Sequence, residues 1–282
     1  MQSETCQIQP DLSLFYRTWG HGEPVLLLHG LADHGLVWRD IVASLSDRYR
    51  CIAPDLRGHG DSSKPPETAY DARLLATDLK RLTQQLELHQ VHVVAHSWAA
   101  KVALLWAQAQ PERLRSLVLV DPFFVNRLPG WLGPTLPLFY RTLPFLKIMG
   151  PFPRYEAAVT TAQSLKQYRG WSDLQASVFA AGMEQKADGT WGSKFAIAAR
   201  NGVFQDVLRV AGLTRPVATP TCLILPTQGL NRLAWQLRPY QRYLTNLTVN
   251  QVPGNHWPHL VEPAALGETI LPFLEQFASE VD

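Results

Sequence analysis

Six short apolar runs recur along the chain, and helical periodicity fills much of what separates them. The runs are Pro24–His29, Arg50–Pro54, Val91–Ala95, Ser116–Val120, Thr221–Leu225 and Leu247–Val252. Segments such as Val25-Leu-Leu-Leu, Val91-His-Val-Val and Leu117-Val-Leu-Val show little polar alternation, so both faces of each strand need cover. Strands of that kind, spaced by helices, assemble into a parallel sheet with helices on both sides. Apolar spacing predicts helices over Tyr70–Leu86 and Ala99–Gln110, the second stopped by Pro111, and a last helix over Glu262–Phe277. The expected fold class is α/β, with a mostly parallel sheet.

From about Pro122 to Arg215 this rhythm breaks. Prolines and glycines, from Pro129 to Pro153, are interleaved with Phe, Leu and Trp, and no strand pattern is evident. Helix-like stretches follow around Arg154–Tyr168, Trp171–Met183 and Ser193–Leu208. The block is too long for a loop. It reads as an α-helical cap over 122–215, inserted into a core formed by 1–121 and 216–282.

Composition narrows the class of protein. At 46% hydrophobic and 18% charged residues, a disordered chain is excluded. A formal charge of +2 gives no global attraction to nucleic acid, so no nucleic-acid partner is expected. The charge is uneven: 122–206 holds nine basic and five acidic residues, against twelve and fourteen over 1–121. Three scattered cysteines, Cys6, Cys51 and Cys222, form neither a disulfide framework nor a metal cluster. The first residues lack a basic patch leading into an apolar core, and no run reaches the ~18–20 apolar residues that span a bilayer. The expectation is a cytoplasmic protein.

The chemistry-bearing residues begin with Val91-His-Val-Val-Ala-His-Ser97-Trp-Ala-Ala-Lys-Val, an apolar strand that runs through a serine straight into a helix. It resembles the nucleophile elbow of the α/β-hydrolase superfamily, small-x-Ser-x-small, with Ala95 and Ala99 where the family usually has Gly. The bland alternative is a helix N-cap serine. Val25-Leu-Leu-Leu-His29-Gly30-Leu31 resembles the family's strand-His-Gly loop. That resemblance makes the backbone N–H groups of Leu31 and Trp98 the oxyanion hole, each worth ~2.7–4 kcal/mol in the transition state. Cys51-Ile-Ala-Pro-Asp55-Leu-Arg57-Gly-His59-Gly-Asp-Ser62 resembles the family's Asp-x-Arg-Gly-x-Gly-x-Ser turn, which is structural. Val252-Pro-Gly-Asn-His256-Trp-Pro-His-Leu-Val-Glu-Pro263 resembles its C-terminal histidine loop. The proline seven residues on selects His256 over His259 as the general base. His34, His92 and His96 read as structural, and His29 too, although His29, Gly30, Phe123 and Trp257 lie where substrate contacts are expected.

The family's triad acid usually follows the seventh strand. Here that stretch is Thr221-Cys-Leu-Ile-Leu-Pro-Thr-Gln-Gly-Leu-Asn231-Arg, and no Asp or Glu occurs between Asp206 and Glu262. Asp121, ending Leu117-Val-Leu-Val-Asp-Pro at the sixth strand, is the substitute, since some family members draw their acid from that strand. Its alternatives are a plain turn residue at Asp121, with Asn231 orienting a weaker dyad.

The resemblance implies a serine hydrolase acting on a carboxylic ester with neither cofactor nor metal. A serine, not an aspartate, stands at the elbow, which speaks against dehalogenase or epoxide-hydrolase chemistry. Two alternatives stay open: a lyase or carbon–carbon hydrolase using the same residues, and a binding module on a degraded site. The expected partner is a small-molecule or lipid-like ester. The cap's Phe123, Phe124, Trp131, Phe139, Phe145 and Phe152, with Arg127, Arg141, Lys147 and Arg154 between them, suit a lipophilic group and a peripheral membrane contact.

Overall fold

In a computed structural model, residues 1–123 and 125–279 are described, the side chains of Pro137, Phe139 and Arg141 excepted. Phe124, Phe139 and Arg141, named above for the cap, thus lie outside what is described. Eight strands form one sheet: β1 (Gln2–Gln9), β2 (Leu12–Trp19), β3 (Glu23–Leu28), β4 (Tyr49–Pro54), β5 (Val91–His96), β6 (Leu114–Val120), β7 (Thr221–Gln228) and β8 (Leu247–Asn255). Their spatial order is β1-β2-β4-β3-β5-β6-β7-β8. Strand β2 runs antiparallel to both β1 and β4, and every other pairing is parallel.

Among the described residues ten α-helices accompany the sheet: α1 (Arg39–Leu45), α2 (Ala72–Gln85), α3 (Ala99–Ala109), α4 (Leu136–Thr142), α5 (Tyr155–Gln163), α6 (Asp173–Ala181), α7 (Ile197–Arg209), α8 (Ala234–Tyr243), α9 (Pro258–Val261) and α10 (Pro263–Glu275). Successive residues of a strand point to opposite faces, and the core divides accordingly. Leu26, Leu28, Val93, Ala95, Leu117 and Leu119 pack with α2 and α3. Val25, Leu27, Val94, Val118, Val120 and Ile224 pack with α1 and α10. All six residues of β5 are buried; each fully buried Val contributes roughly 1.5–3 kcal/mol.

The central parallel strands end side by side: Leu28 is opposite Ala95, His96 opposite Val120, and Val120 opposite Ile224. That places the residues just beyond β3, β5, β6 and β7 along one edge of the sheet, the usual location of a ligand crevice in open α/β folds. Helices α4–α7 all fall between β6 and β7. That inserted segment also contains an antiparallel pair, Met183–Gln185 with Trp191–Ser193, which its sequence did not suggest. Three residues per strand are too few to write an alternating pattern. The inserted segment is tied to the core by a buried ion pair, Lys101 Nζ of α3 to Asp206 Oδ2 of α7 at 2.6 Å, and Asp206 also accepts the Ala72 N–H. Among the described residues no helix is long and apolar enough to cross a membrane.

Candidate active site

Ser97 sits in the turn between β5 and α3 with φ of +55°, a left-handed conformation that is rare for a side chain bearing a Cβ. Two hydrogen bonds hold it there: its N–H donates to the Val120 carbonyl, and its own carbonyl accepts from Phe123 N–H. The flanking Ala95 and Ala99 are fully buried, so a methyl group fits where strand and helix converge. The turn has the geometry of an elbow that lifts a nucleophile above the sheet.

His256 follows β8 and faces this serine. Its Nε2 lies 2.9 Å from Ser97 Oγ, and its Nδ1 lies 2.7 Å from Asp121 Oδ2. Asp121 directly follows β6 and is fully buried. An ionised carboxylate can only accept. The His256 Nδ1–H therefore donates to it, and Nε2 is left to accept the serine hydroxyl proton. The three residues lie on three different strand ends and form one hydrogen-bonded line.

The Asp121 carboxylate is supplied with donors from the segment after β7, where an acid is absent. Leu230 N–H donates to Oδ2 at 2.8 Å, and Asn231 donates to Oδ1 through its backbone at 3.2 Å and its Nδ2 at 2.8 Å. Burial by itself would push this carboxyl up. The hydrogen bond and charge of His256, with the Leu230 and Asn231 donors, outweigh it and hold Asp121 below the usual carboxylate range. Asn231 thus serves the carboxylate, and among the described residues its hydrogen bonds go to Asp121 and Pro122, none to the histidine. Gly229 makes the approach feasible: a Cβ there would come within 2.6 Å of Asp121 Oδ2.

The expected oxyanion donors Leu31 and Trp98 both line a cavity of about 450 Å³ that opens over Ser97 and His256. Neither N–H donates to any protein acceptor among the described residues. Phe123 and Trp257 also line the cavity, with their rings against His256 at 6.5 and 4.8 Å. Leu143, Phe145 and Leu165 from the inserted segment form more of its wall.

His29 and Gly30 are placed differently from the substrate contacts expected of them, since neither lines the cavity. His29 is fully buried, and its Nε2 accepts the Leu56 N–H at 2.9 Å. That fixes the tautomer, so Nδ1–H donates to the Gly30 carbonyl at 2.7 Å. The ring pins the loop that carries Leu31. Gly30 packs against the elbow, where a Cβ would lie 2.6 Å from His96 Nδ1. His59, His34 and His92 are also buried away from the cavity. Asp55 accepts from Arg17, Gly35 and Asp61, and Arg57 pairs with Asp78, as suits a structural turn.

One positioning contact was not legible beforehand. His96 Nε2–H donates to the carbonyl oxygen of His256 at 2.7 Å. The residue before Ser97 therefore holds the main chain of His256. Burial pushes this imidazole well below its ordinary range, which keeps it neutral. A histidine inside a strand carries no sequence signal for such a role.

A sequence profile of the alpha/beta hydrolase fold matches residues 23–222. The chain belongs to the α/β-hydrolase family. Over 108 residues it is 38% identical to a soluble epoxide hydrolase of Corynebacterium sp. (strain C12), covering 38% of this chain and 37% of that protein. Over 118 residues it is 38% identical to a non-heme chloroperoxidase of Kitasatospora aureofaciens, covering 41% of this chain and 42% of that one. The matched parts are thus about two-fifths of these curated relatives. Among solved structures, E-2-(acetamidomethylene)succinate hydrolase superposes with a TM-score of 0.81 at 24% identity, covering 97% of this chain and 99% of the other. A thermophilic esterase from Thermogutta terrifontis superposes at 0.74 and 20% identity, covering 99% and 100%. At such identities the likeness is one of fold.

Proposed function

We propose that this α/β-hydrolase-family chain is a serine hydrolase that cleaves a carboxylic ester through an acyl-enzyme. The observation that carries the reading is the hydrogen-bonded line Ser97–His256–Asp121 beneath an apolar cavity lined by two unengaged backbone N–H groups. Ser97 Oγ attacks the ester carbonyl carbon as its proton passes to His256 Nε2. Negative charge gathers on the carbonyl oxygen, where Leu31 and Trp98 N–H groups stabilise it. Collapse breaks the bond to the alcohol, which takes the proton back from His256. Water then gives a proton to His256 and attacks the acyl carbon, and the acid leaves as Ser97 recovers its hydrogen.

Asp121 holds the histidine tautomer and balances the imidazolium. The segment between β6 and β7 acts as a cap whose Leu143, Phe145 and Leu165 favour a lipophilic group. The epoxide hydrolase likeness covers under half of the chain, and epoxide opening in this family relies on an aspartate where Ser97 stands.

The test is a panel of p-nitrophenyl esters from acetate to dodecanoate, followed in the first seconds of turnover. A burst of p-nitrophenol matching the enzyme concentration, with an acyl adduct in the intact mass and none in Ser97→Ala, is expected. Binding of the esters without adduct or turnover would point to the binding-module alternative, and turnover of carbon–carbon substrates alone to the other.

A further inference from the structure

The cavity over Ser97 is apolar inside, yet two cations stand on its wall, Lys166 and Arg232. Both are exposed, which puts them at its mouth. Neither ammonium nor guanidinium has an ion-pair or hydrogen-bond partner among the described residues. Among the described residues no Asp or Glu lines this cavity. The nearest carboxylate of the site, Asp121, is fully buried and already taken by His256, Leu230 and Asn231.

The two cations are also placed with respect to the reacting atoms. The Lys166 carbonyl accepts a 2.8 Å hydrogen bond from Asn255 Nδ2, the residue before His256. Arg232 directly follows Asn231, whose side chain donates to Asp121 at 2.8 Å. Lys166 thus sits on main chain bonded to the residue before His256, and Arg232 on main chain next to a donor of Asp121. Like-signed charges above an apolar cleft attract and orient an opposite charge more strongly than they would in open water.

We propose that the substrate is an amphiphile: an apolar chain fills the cavity, and an anionic group, carboxylate or phosphate, is held at the mouth by Lys166 and Arg232. The proposal rests on the ester-hydrolase reading and names its substrate class. A neutral ester of equal length would fill the same cavity and leave both cations unpaired. Discrimination then lies in charge alone.

Two matched pairs test it: p-nitrophenyl hydrogen suberate against p-nitrophenyl octanoate, and 1-octanoylglycerol 3-phosphate against 1-octanoylglycerol. The anionic member of at least one pair should have the higher kcat/KM, and whichever pair shows it identifies carboxylate or phosphate. Lys166→Met and Arg232→Met should each lower that kcat/KM roughly 3–10-fold while moving the neutral ester less than about twofold. Added salt should erode the preference in the wild type. Neutral and anionic members cleaved alike, or both slowed alike in the variants, would overturn the proposal and leave the ester reading intact. If none of the four is cleaved, thermal stabilisation by octanoate and octyl phosphate against octan-1-ol reads the same cations without turnover. Stabilisation by the anions alone, lost in the double variant, supports the anionic subsite, and equal effects overturn it.

Discussion

Replacing Asp121 by Asn probes the centre of the site with one atom changed. In the wild type Oδ2 accepts from His256 Nδ1–H and Leu230 N–H, and Oδ1 accepts twice from Asn231. An asparagine must place its NH2 group at one of those two positions. At the Oδ1 position it meets the Asn231 backbone N–H, which cannot turn away, and Asn231 Nδ2, which also donates to the Pro122 carbonyl. At the Oδ2 position it meets Leu230 N–H and donates to His256 Nδ1. The histidine then carries its proton on Nε2 and cannot accept from Ser97. The first arrangement loses stability, about 1–3 kcal/mol for unsatisfied buried groups. The second loses catalysis, on the order of 10⁴-fold where such a triad acid is amidated, or about 5.4 kcal/mol of transition-state stabilisation. Because the His256 donor is a side chain free to exchange tautomers, the second arrangement should dominate. Ester kcat for Asp121→Asn should fall by about 10³–10⁴ with KM little changed, and the unfolding midpoint should move modestly. A loss under tenfold would refute the assignment of Asp121 as the triad acid.

Three further outcomes are expected. Gly229→Ala forces a Cβ to within 2.6 Å of Asp121 Oδ2; it should cost roughly 1–3 kcal/mol in denaturant unfolding and lower kcat at least tenfold, and wild-type values for both would contradict the packing. His96→Leu removes the donor to the His256 carbonyl and should lower kcat about 10–100-fold at constant KM, with part of the loss restored by His96→Gln; equal rates in Leu and Gln variants would deny the clamp. Stability should fall with acid: burial holds His29 and His259 down to about 3 and His92 to about 4, and it pushes His59 and His96 well below their ordinary range. Between pH 6.5 and about 4 the unfolded chain binds protons that these native rings refuse, so stability rises with pH by up to ~1.4 kcal/mol per unit per ring. Burial pushes Asp33 up to about 8 and also raises Asp78 and Asp206, which oppose this, while His34, lowered by burial, adds to it: three carboxyls against six rings. Urea midpoints at pH 6.5, 5.5 and 4.5 should decline in order, and a flat series would reject the argument.

Much of this was readable in the chain because it is written in strong local signals. Buried parallel strands are continuous apolar runs, and all six anticipated runs are strands, with ends that coincide or shift by at most three residues. The Ser97 elbow and His256 loop are short segments whose flanking residues fix the register. What was not read has weak or non-local signals. Strand β1 is largely exposed and polar, Gln-Ser-Glu-Thr-Cys-Gln-Ile-Gln, and is held by pairing with β2 and by the single buried side chain of Ile8. Helix α8 contains Pro239 and buries only Tyr240. Asp121 could be suspected from its strand end, but its donors lie more than a hundred residues away in a segment with no carboxylate. The His96 clamp spans 160 residues. Contacts of that kind depend on which strand ends are neighbours, and a single sequence does not state that order.

The most direct measurement is the rate and position of fluorophosphonate labelling, mapped by peptide mass spectrometry. A single adduct on Ser97 is expected, formed within minutes, and abolished in both Ser97→Ala and His256→Ala while those proteins keep wild-type unfolding midpoints. No adduct in the wild type, or one on another serine that persists in Ser97→Ala, would contradict the claim that Ser97 is the activated nucleophile.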